Sequence, residues 1–236
     1  MALCISARNA SKEENVKART LTYITAMTLF AAVAIPLRLA AQDAQDHNQS
    51  RHTRYAMQVL GTLGAAFDSE AHGLNNRDSV PGQSFLPNGA LHAFFWRKGV
   101  MTDLGTLGGP DSFVNVANHA VSEKDVVVGY SETSTPDPNA ENFCNPTFQN
   151  NLVCLPFVWE KDMMTQLPTL GGTNATATGI NNRGQIVGVA ETPNLDPCSF
   201  AFLQVEAVIW QKGKVDQLPP FPGDAIGSAF AINDRG

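Results

Sequence analysis

Gly179–Gly188 reads GINNRGQIVG. Asn181, Asn182 and Gly184 interrupt two apolar stretches, and the stretch after them is short and β-branched. Asn tolerates left-handed backbone angles and Gly adopts them freely, so this spacing predicts a tight turn between two short strands rather than a helix. Relatives of the segment occur as GLNNRDSVPG (Gly73–Gly82) and AVSEKDVVVG (Ala120–Gly129), and a fourth copy, AINDRG, begins at Ala231. Recurrence of one hairpin-like segment along a chain is the mark of a repeat architecture.

Working outward, two further landmarks recur in the same order. An apolar run ends in Trp96 (HAFFW), Trp159 (LPFVW) and Trp210 (EAVIW), which are the 3 tryptophans of the protein. A Leu-x-x-Leu-Gly element appears as LGTLG at Leu60–Gly64 and as LGTLGG at Leu104–Gly109, with Gly105, Leu107, Gly108 and Gly109. It returns as LPTLGG at Leu167–Gly172, with Leu170, Gly171 and Gly172, and in decayed form at Leu218–Gly223. Each Trp lies 8 residues before the next Leu landmark, and each hairpin copy spans 8 residues from its second position to Gly82, Gly129 or Gly188. The distance from that glycine to the next Trp varies instead: 14, 30 and 22 residues. Constant spacings mark structural elements, and the variable one marks a loop that accepts insertions.

Each unit therefore reads as four short strands: one before the INN turn, one after it, the Trp strand, and the strand entering Leu-x-x-Leu. Short charged turns (RKG, EKD, QKG) follow the Trp runs. The expectation is an all-β chain of tandem four-stranded antiparallel repeats, propeller-like with about three to four blades, an open β-solenoid being the alternative. Apolar residues on both faces of the Trp strand, Phe94 and Trp96 against Phe95, suit sheets sandwiched between neighbours. The glycine pairs are expected at tight crossings between units. The fourth copy stops at Gly236, before its second strand, so the array reads as C-terminally incomplete.

LGTLGG, GINNRGQIVG and HAFFW-x-x-G-x-M-x-D-L-G together resemble the extracellular HAF repeat family, over about Tyr55 to Gly236. His92, Ala93 and Phe94 carry the naming motif in full, whereas the later copies have Leu155-Pro156-Phe157 and Glu206-Ala207-Val208. The resemblance implies export and a repeat architecture. It implies no established activity, and the departures argue against a catalytic role for His92.

The N-terminus supports export independently. Residues 21–34, LTYITAMTLFAAVA, are apolar, follow Lys17 and Arg19, and lead into small residues at LRLAAQ. That order is a secretory signal peptide, and this almost purely apolar run of 14 residues falls short of the roughly 18–20 of a membrane span. Residues 1–41 are read as the signal, cleaved after Ala41, with Val16 as an alternative start. Residues 42–54 form a polar linker carrying His47 and His52, and the repeat domain follows over 55–236.

Composition narrows the partners. The chain has 236 residues, 43% hydrophobic and 16% charged, with net charge −6. Residues 1–41 hold five basic and two acidic side chains, so the rest carries 11 basic and 20 acidic, a net −9. Without clustered Lys and Arg, nucleic acid and anionic membranes are poor partners. There is no GxSxG, HExxH, P-loop or dinucleotide fingerprint. No catalytic residue, cofactor or metal is assigned. The acidic residues Asp68, Glu70, Asp111, Asp125 and Asp137 read as scattered surface carboxylates, and the DPN and NLDP pieces lack the alternation of a calcium loop. Cys144 and Cys154 share one insertion and form the disulfide candidate, a Cys144–Cys198 bridge being the alternative; export makes a bridge plausible. The expected function is a non-catalytic extracellular binding or surface module for an unidentified ligand, glycan or protein. An extracellular polysaccharide- or peptide-active enzyme, or a structural spacer or adhesin, are the alternatives. Phe143 and Phe148, in the longest insertion, are the rings available to stack on a ligand or to pack the loop.

Overall fold

Each INN-type turn is built by its own side chain. Asn181 Oδ1 accepts from the N–H groups of Arg183 and Gln185, both at 3.0 Å. Asn75 does the same for Arg77 and Ser79, and the Ser122 hydroxyl oxygen for Lys124 and Val126. These Asx- and Ser-type turns reverse the chain locally. The residue three positions on is left-handed in every copy: Asp78, Asp125, Gly184 and Gly236. The charged turns after the Trp runs carry two successive left-handed residues, such as Lys98-Gly99 and Lys212-Gly213. That is the backbone of a tight two-residue hairpin.

The computed structural model describes residues 56–115, 119–196, 202–222, 224 and 226–236. The readings of residues 1–41 as a signal and 42–54 as a linker, the two linker histidines and Cys198 lie outside them. Gln58–Gly236 forms one compact unit. It contains three four-stranded antiparallel sheets in tandem. The first is β1 (Ser69–Ala71), β2 (Ser79–Phe85), β3 (Leu91–Arg97) and β4 (Val100–Asp103). The second is β5 (Gly108–Phe113), β6 (Val127–Pro136), β7 (Leu152–Glu160) and β8 (Met163–Gln166). The third is β9 (Ala175–Ile180), β10 (Ile186–Leu195), β11 (Leu203–Gln211) and β12 (Lys214–Gln217). In each, the strands lie side by side in chain order.

The tryptophans occupy equivalent places. Trp96 pairs with Val80 and Met101, Trp159 with Val127 and Met164, and Trp210 with Ile186 and Val215. All three are buried. Each packs under the leucines of the preceding landmark: Trp96 with Leu60 and Leu63, Trp159 with Leu104 and Leu107, Trp210 with Leu167 and Leu170. Leu-x-x-Leu thus clamps one sheet onto the Trp face of the next, and the core is a series of inter-sheet layers. The opposite face of the Trp strand meets the following unit, where the Phe95 and Trp159 rings lie 5.2 Å apart.

The recurrent glycines follow from close approach. Gly129 lies opposite Phe157, and a β-carbon there would overlap the Phe113 carbonyl oxygen and stand 2.7 Å from the Phe157 ring. Gly82 and Gly188 have the same constraint against Glu70 and Thr176. At the crossings, Gly108 and Gly171 are left-handed, while a β-carbon on Gly109 would stand 2.6 Å from Glu132 Cβ.

The turns also join the units. Asn76 donates from its backbone N–H, at 3.1 Å, and its amide, at 2.8 Å, to Glu123 Oε1. The Glu123 N–H donates to Asn182 Oδ1 at 2.8 Å, and Asn182 donates twice, at 2.8 Å, to the Asp234 carboxylate. The same turn position in four successive copies forms one hydrogen-bonded ladder. Residues 226–236 follow the third sheet as the opening of a fourth unit, with Ala229 O accepting from the Thr178 hydroxyl at 2.7 Å. All four turns line one cavity of about 360 Å³, from Asn75 and Asn76 through Glu123 and Asn182 to Asp234. The tandem sheets thus fit a propeller-like or solenoid arrangement, the turns of successive units lying against one another in either.

Candidate binding cleft

Antiparallel order sorts the connections between two ends of the sheets. The INN turns and the charged hairpins fall at one end. The links carrying LGTLGG and the loops between second and third strands fall at the other, so the variable insertions share an end with the glycine-pair crossings.

In the first sheet that loop is short, Leu86 to Ala90, closed by the Ala90 carbonyl accepting from Leu86 N–H at 2.8 Å. In the second it runs from Asp137 to Asn151 and is tied down along its length. Asp137 Oδ1 accepts from the N–H groups of Asn139 and Glu141, and Asn145 Oδ1 accepts from Thr147 at 2.8 Å. A Cys144–Cys154 disulfide joins the loop to β7. The two cysteines are buried with Leu91 of the first sheet and Phe113, and Phe85, Tyr130, Phe143 and Phe148 pack around them. The insertion therefore leans over the first sheet, and its two phenylalanines contribute to that packing.

Phe148 is only half-buried, and it lines two adjoining hollows. The smaller, about 210 Å³, also takes in Glu70, Gln83 and Phe85. The larger, about 550 Å³, takes in Asn88, Asp111, Gln149 and Asn150. The exposed Phe67 ring, which does not line either hollow, stands 5.3 Å from Phe85.

Beneath the larger hollow lies a carboxyl pair. Asp111 Oδ1 accepts from the Leu91 N–H at 2.7 Å, and Oδ2 from the Asn150 amide at 3.0 Å. The same amide donates to both Glu132 oxygens, at 3.1 and 2.9 Å. Burial pushes the Glu132 carboxyl up to about 7, the Asp111 charge adding to the rise while Asn150 opposes it. Asp111 lines the hollow; Glu132, 3% exposed, is sealed below.

The third sheet repeats the motif. Glu191 is fully buried, and its Oε2 accepts from the Asn174 N–H at 2.7 Å while Oε1 has no partner. The Asn174 amide donates to Asp137 at 2.8 Å and Glu141 at 3.2 Å, and its Oδ1 accepts from the Cys154 N–H at 2.8 Å. Burial pushes Glu191 up to about 7 as well, with Glu141 and Asp137 adding to the rise. Glu141 also accepts from the Phe202 N–H, which ties the second insertion to the third sheet.

The expectation of scattered surface carboxylates is therefore corrected. Asp68 and Glu70 are exposed, but Asp111 and Asp137 are buried because insertion amides supply their hydrogen bonds. Asp125 sits at the opposite end, where burial raises its pKa but Ser79, Asn75, Arg97 and Arg77 outweigh that and hold it below the carboxylate range. His92 donates to the Asp103 carboxylate, at 2.9 Å, and to the Pro110 carbonyl, at 3.2 Å. Burial depresses the imidazole, and the Asp103 contact outweighs burial, so its pKa is raised.

The signature tryptophans and leucines are brought together in the inter-sheet core and the paired glycines at the crossings, and none of them lines the cleft. Asn181, Asn182 and Gly184 lie at the far end. Glu132, Asn150 and Glu191 were not singled out from the sequence, and Asn174 stood out only as the head of a short Asn-Ala-Thr triplet that turns up by chance. The signal was a Glu three residues after each of Gly129 and Gly188, at the mouth of the variable loop. Among the described residues, no group of three or more His, Cys, Asp or Glu is placed to hold a metal ion, and no helix is long and apolar enough to cross a membrane. No protein-family model matches the chain, and comparison with curated proteins and with solved structures finds no similar protein.

Proposed function

We propose that the protein is an exported, non-catalytic extracellular binding module that takes its ligand in the cleft around Phe148. The observation that carries this reading is the disulfide-held insertion of the second sheet folding over the first sheet to frame a preformed, two-lobed hollow. Pockets of roughly 300–1,000 Å³ on a rigid scaffold are the usual form of ligand sites, and variable loops are where repeat scaffolds hold partners. The disulfide fits an oxidising compartment, which agrees with the signal-like N-terminus and with the resemblance to extracellular HAF repeats. The enzymatic reading draws on the Asp111–Glu132 pair. A glycosidase needs both carboxyls at the scissile bond, and Glu132 lies sealed beneath Asn150, which favours binding over turnover.

The test replaces residues 137–151 with the short Leu86–Ala90 connection of the first sheet. Wild type and the replaced chain are screened against immobilised extracellular polysaccharides and proteins, with product release followed in parallel. The expected outcome is binding by wild type alone, without turnover, at unchanged β-sheet circular dichroism. Equal binding by both chains refutes the site; turnover lost in Asp111→Asn refutes the non-catalytic reading.

A further inference from the structure

The chemistry of the cleft narrows the ligand, on the premise that the cleft is the binding site. Neither hollow is lined by a Lys, Arg or His, whereas Asp68, Glu70 and Asp111 all face into one or the other. An anionic ligand would meet like charges with no cation to offset them. The remaining polar lining is mostly side-chain amide: Gln83 and Asn145 in the smaller hollow, Asn88, Gln149 and Asn150 in the larger. Amides both donate and accept, and carboxylates accept only. Such a lining matches a ligand crowded with hydroxyl groups, each able to do either. The rings complete the pattern. Phe148 lines both hollows, and Phe85 lines the smaller one, with the exposed Phe67 ring 5.3 Å beyond it. The negative face of an aromatic ring attracts the slightly positive C–H edges of an apolar surface. A ligand that offers hydroxyls at its rim and C–H groups on its flat faces is a sugar ring.

The support beneath these groups is preorganised, which reduces the ordering lost on binding. The Asn145 carbonyl accepts from the Phe148 N–H at 3.2 Å within a turn closed by the Asn145 side chain. The disulfide sits directly behind it. Asn150 is fixed by three contacts to Asp111 and Glu132. A protein partner would find a concave, amide-lined hollow, not the contiguous apolar centre that such interfaces bury.

We infer that the cleft binds a neutral glycan chain, successive sugars lodging on either side of the Phe148 ring. The test titrates the full chain calorimetrically with neutral β- and α-linked gluco-, xylo- and manno-oligosaccharides of two to six units, and with oligogalacturonate. Binding to at least one neutral series is expected, tightening as the chain grows past the length of one hollow, with no binding to the uronate. Phe148→Ala should weaken it by about tenfold or more, equivalent to roughly 1.4 kcal/mol. Gln149→Ala, at an exposed position outside the packed cluster, should weaken it severalfold without altering the thermal midpoint, and so keeps the test valid if Phe148→Ala unfolds the loop. Preference for the uronate, or neutral binding indifferent to both substitutions, overturns the assignment. If the 137–151 replacement abolishes binding to a protein or an anionic polymer while no neutral oligosaccharide binds at millimolar concentration, the ligand class is wrong and the site stands. If the replacement leaves all binding intact, both fall.

Discussion

Replacing Glu191 by Gln removes a charge from a place that resists one. The side chain is fully buried, one oxygen bonded to the Asn174 N–H and the other without a partner, with Asp137 and Glu141 facing it from the second insertion. Its pKa is pushed from 4.5 up to about 7. The unfolded chain therefore gives up this proton near pH 4.5, while the folded chain holds it until about 7. Folding binds the extra proton, so this contribution is complete below 4.5 and is lost as pH rises through about 7. A displacement of this size, at about 1.36 kcal/mol per unit, amounts to roughly 3 kcal/mol of stability forfeited at pH 8. Gln keeps the acceptor for Asn174, places an amide beside Asp137 and Glu141, and cannot ionise. The expected result is a variant about 2–3 kcal/mol more stable than wild type at pH 8 and nearly equal to it at pH 4.5. For a domain of this size that is roughly 5–10 °C in thermal midpoint. Denaturant unfolding at closely spaced pH values between 4 and 8 is the assay. Glu132 shares the same raised pKa, so the variant should retain part of the alkaline loss. A variant destabilised by the same amount at both pH values would refute the reasoning, because the carboxyl would then act through shape or hydrogen bonding and not through its charge.

Other expectations are simpler. Gly129→Ala should cost about 3 kcal/mol or more, as its β-carbon meets a carbonyl oxygen and the Phe157 ring, whereas Gly105→Ala, left-handed but in open space, should cost only about 1 kcal/mol; urea unfolding of both separates close approach from backbone strain. Reducing the Cys144–Cys154 bridge, which closes a loop of sequence separation 10, should cost about 2–3 kcal/mol and speed hydrogen exchange of the Asn139–Gln149 amides ahead of the sheets; uniform acceleration would contradict a local clamp. Asn182→Ala should destabilise the fold by leaving the Glu123 N–H without its acceptor and removing the side-chain contact to Asp234 Oδ2, the backbone N–H of residue 182 still donating to Asp234 Oδ1, while Asn182→Asp should keep the acceptor for Glu123 and oppose Asp234; equal stability of both variants and wild type, by thermal melting, would show that the side-chain ladder adds nothing.

The repeat was legible because its spacings are imposed by backbone geometry. The eight residues from Trp to Leu are a hairpin of fixed length plus the step that carries Leu104 or Leu167 over the next tryptophan. Gly82, Gly129 and Gly188 recur because no side chain fits there. The turn residues were recognisable as turn residues, but their second role was not: nothing in INN or SEK says that the side chain of one turn accepts from the backbone of the turn before it. The cleft was less legible still. Asp111 and Glu132 become a buried pair only because Asn150, well separated from both along the chain, reaches between them. Single-residue chemistry suggests a surface for such carboxylates, and a long loop folding back is what overrules it. Asn174 illustrates the same point. It heads a glycosylation-like triplet, yet it is fully buried and holds Asp137, Glu141, Glu191 and the Cys154 N–H together.

The division between the two ends of the sheets follows from these constraints. At the INN end every turn is hydrogen-bonded to the next, so a change in one copy must be matched by its neighbour; Ser122 and Glu123 still fit because a hydroxyl and a carboxylate accept where the amides did. At the opposite end the loops are bonded chiefly to their own sheet and to one neighbour, so length can vary from Leu86–Ala90 to Asp137–Asn151 without disturbing the register of Trp96 or Trp159. A glutamate three residues past the repeat glycine is buried in both the second and third sheets, against the Asn150 amide in one and the Asn174 N–H in the other, at a point the glycine pair has already brought close. The scaffold thus separates the residues that set the architecture from those that can be changed, and it places the changeable ones around Phe148. Gln149 or Asn88 can change at little cost to folding, since neither contributes to the buried layers that hold the sheets together.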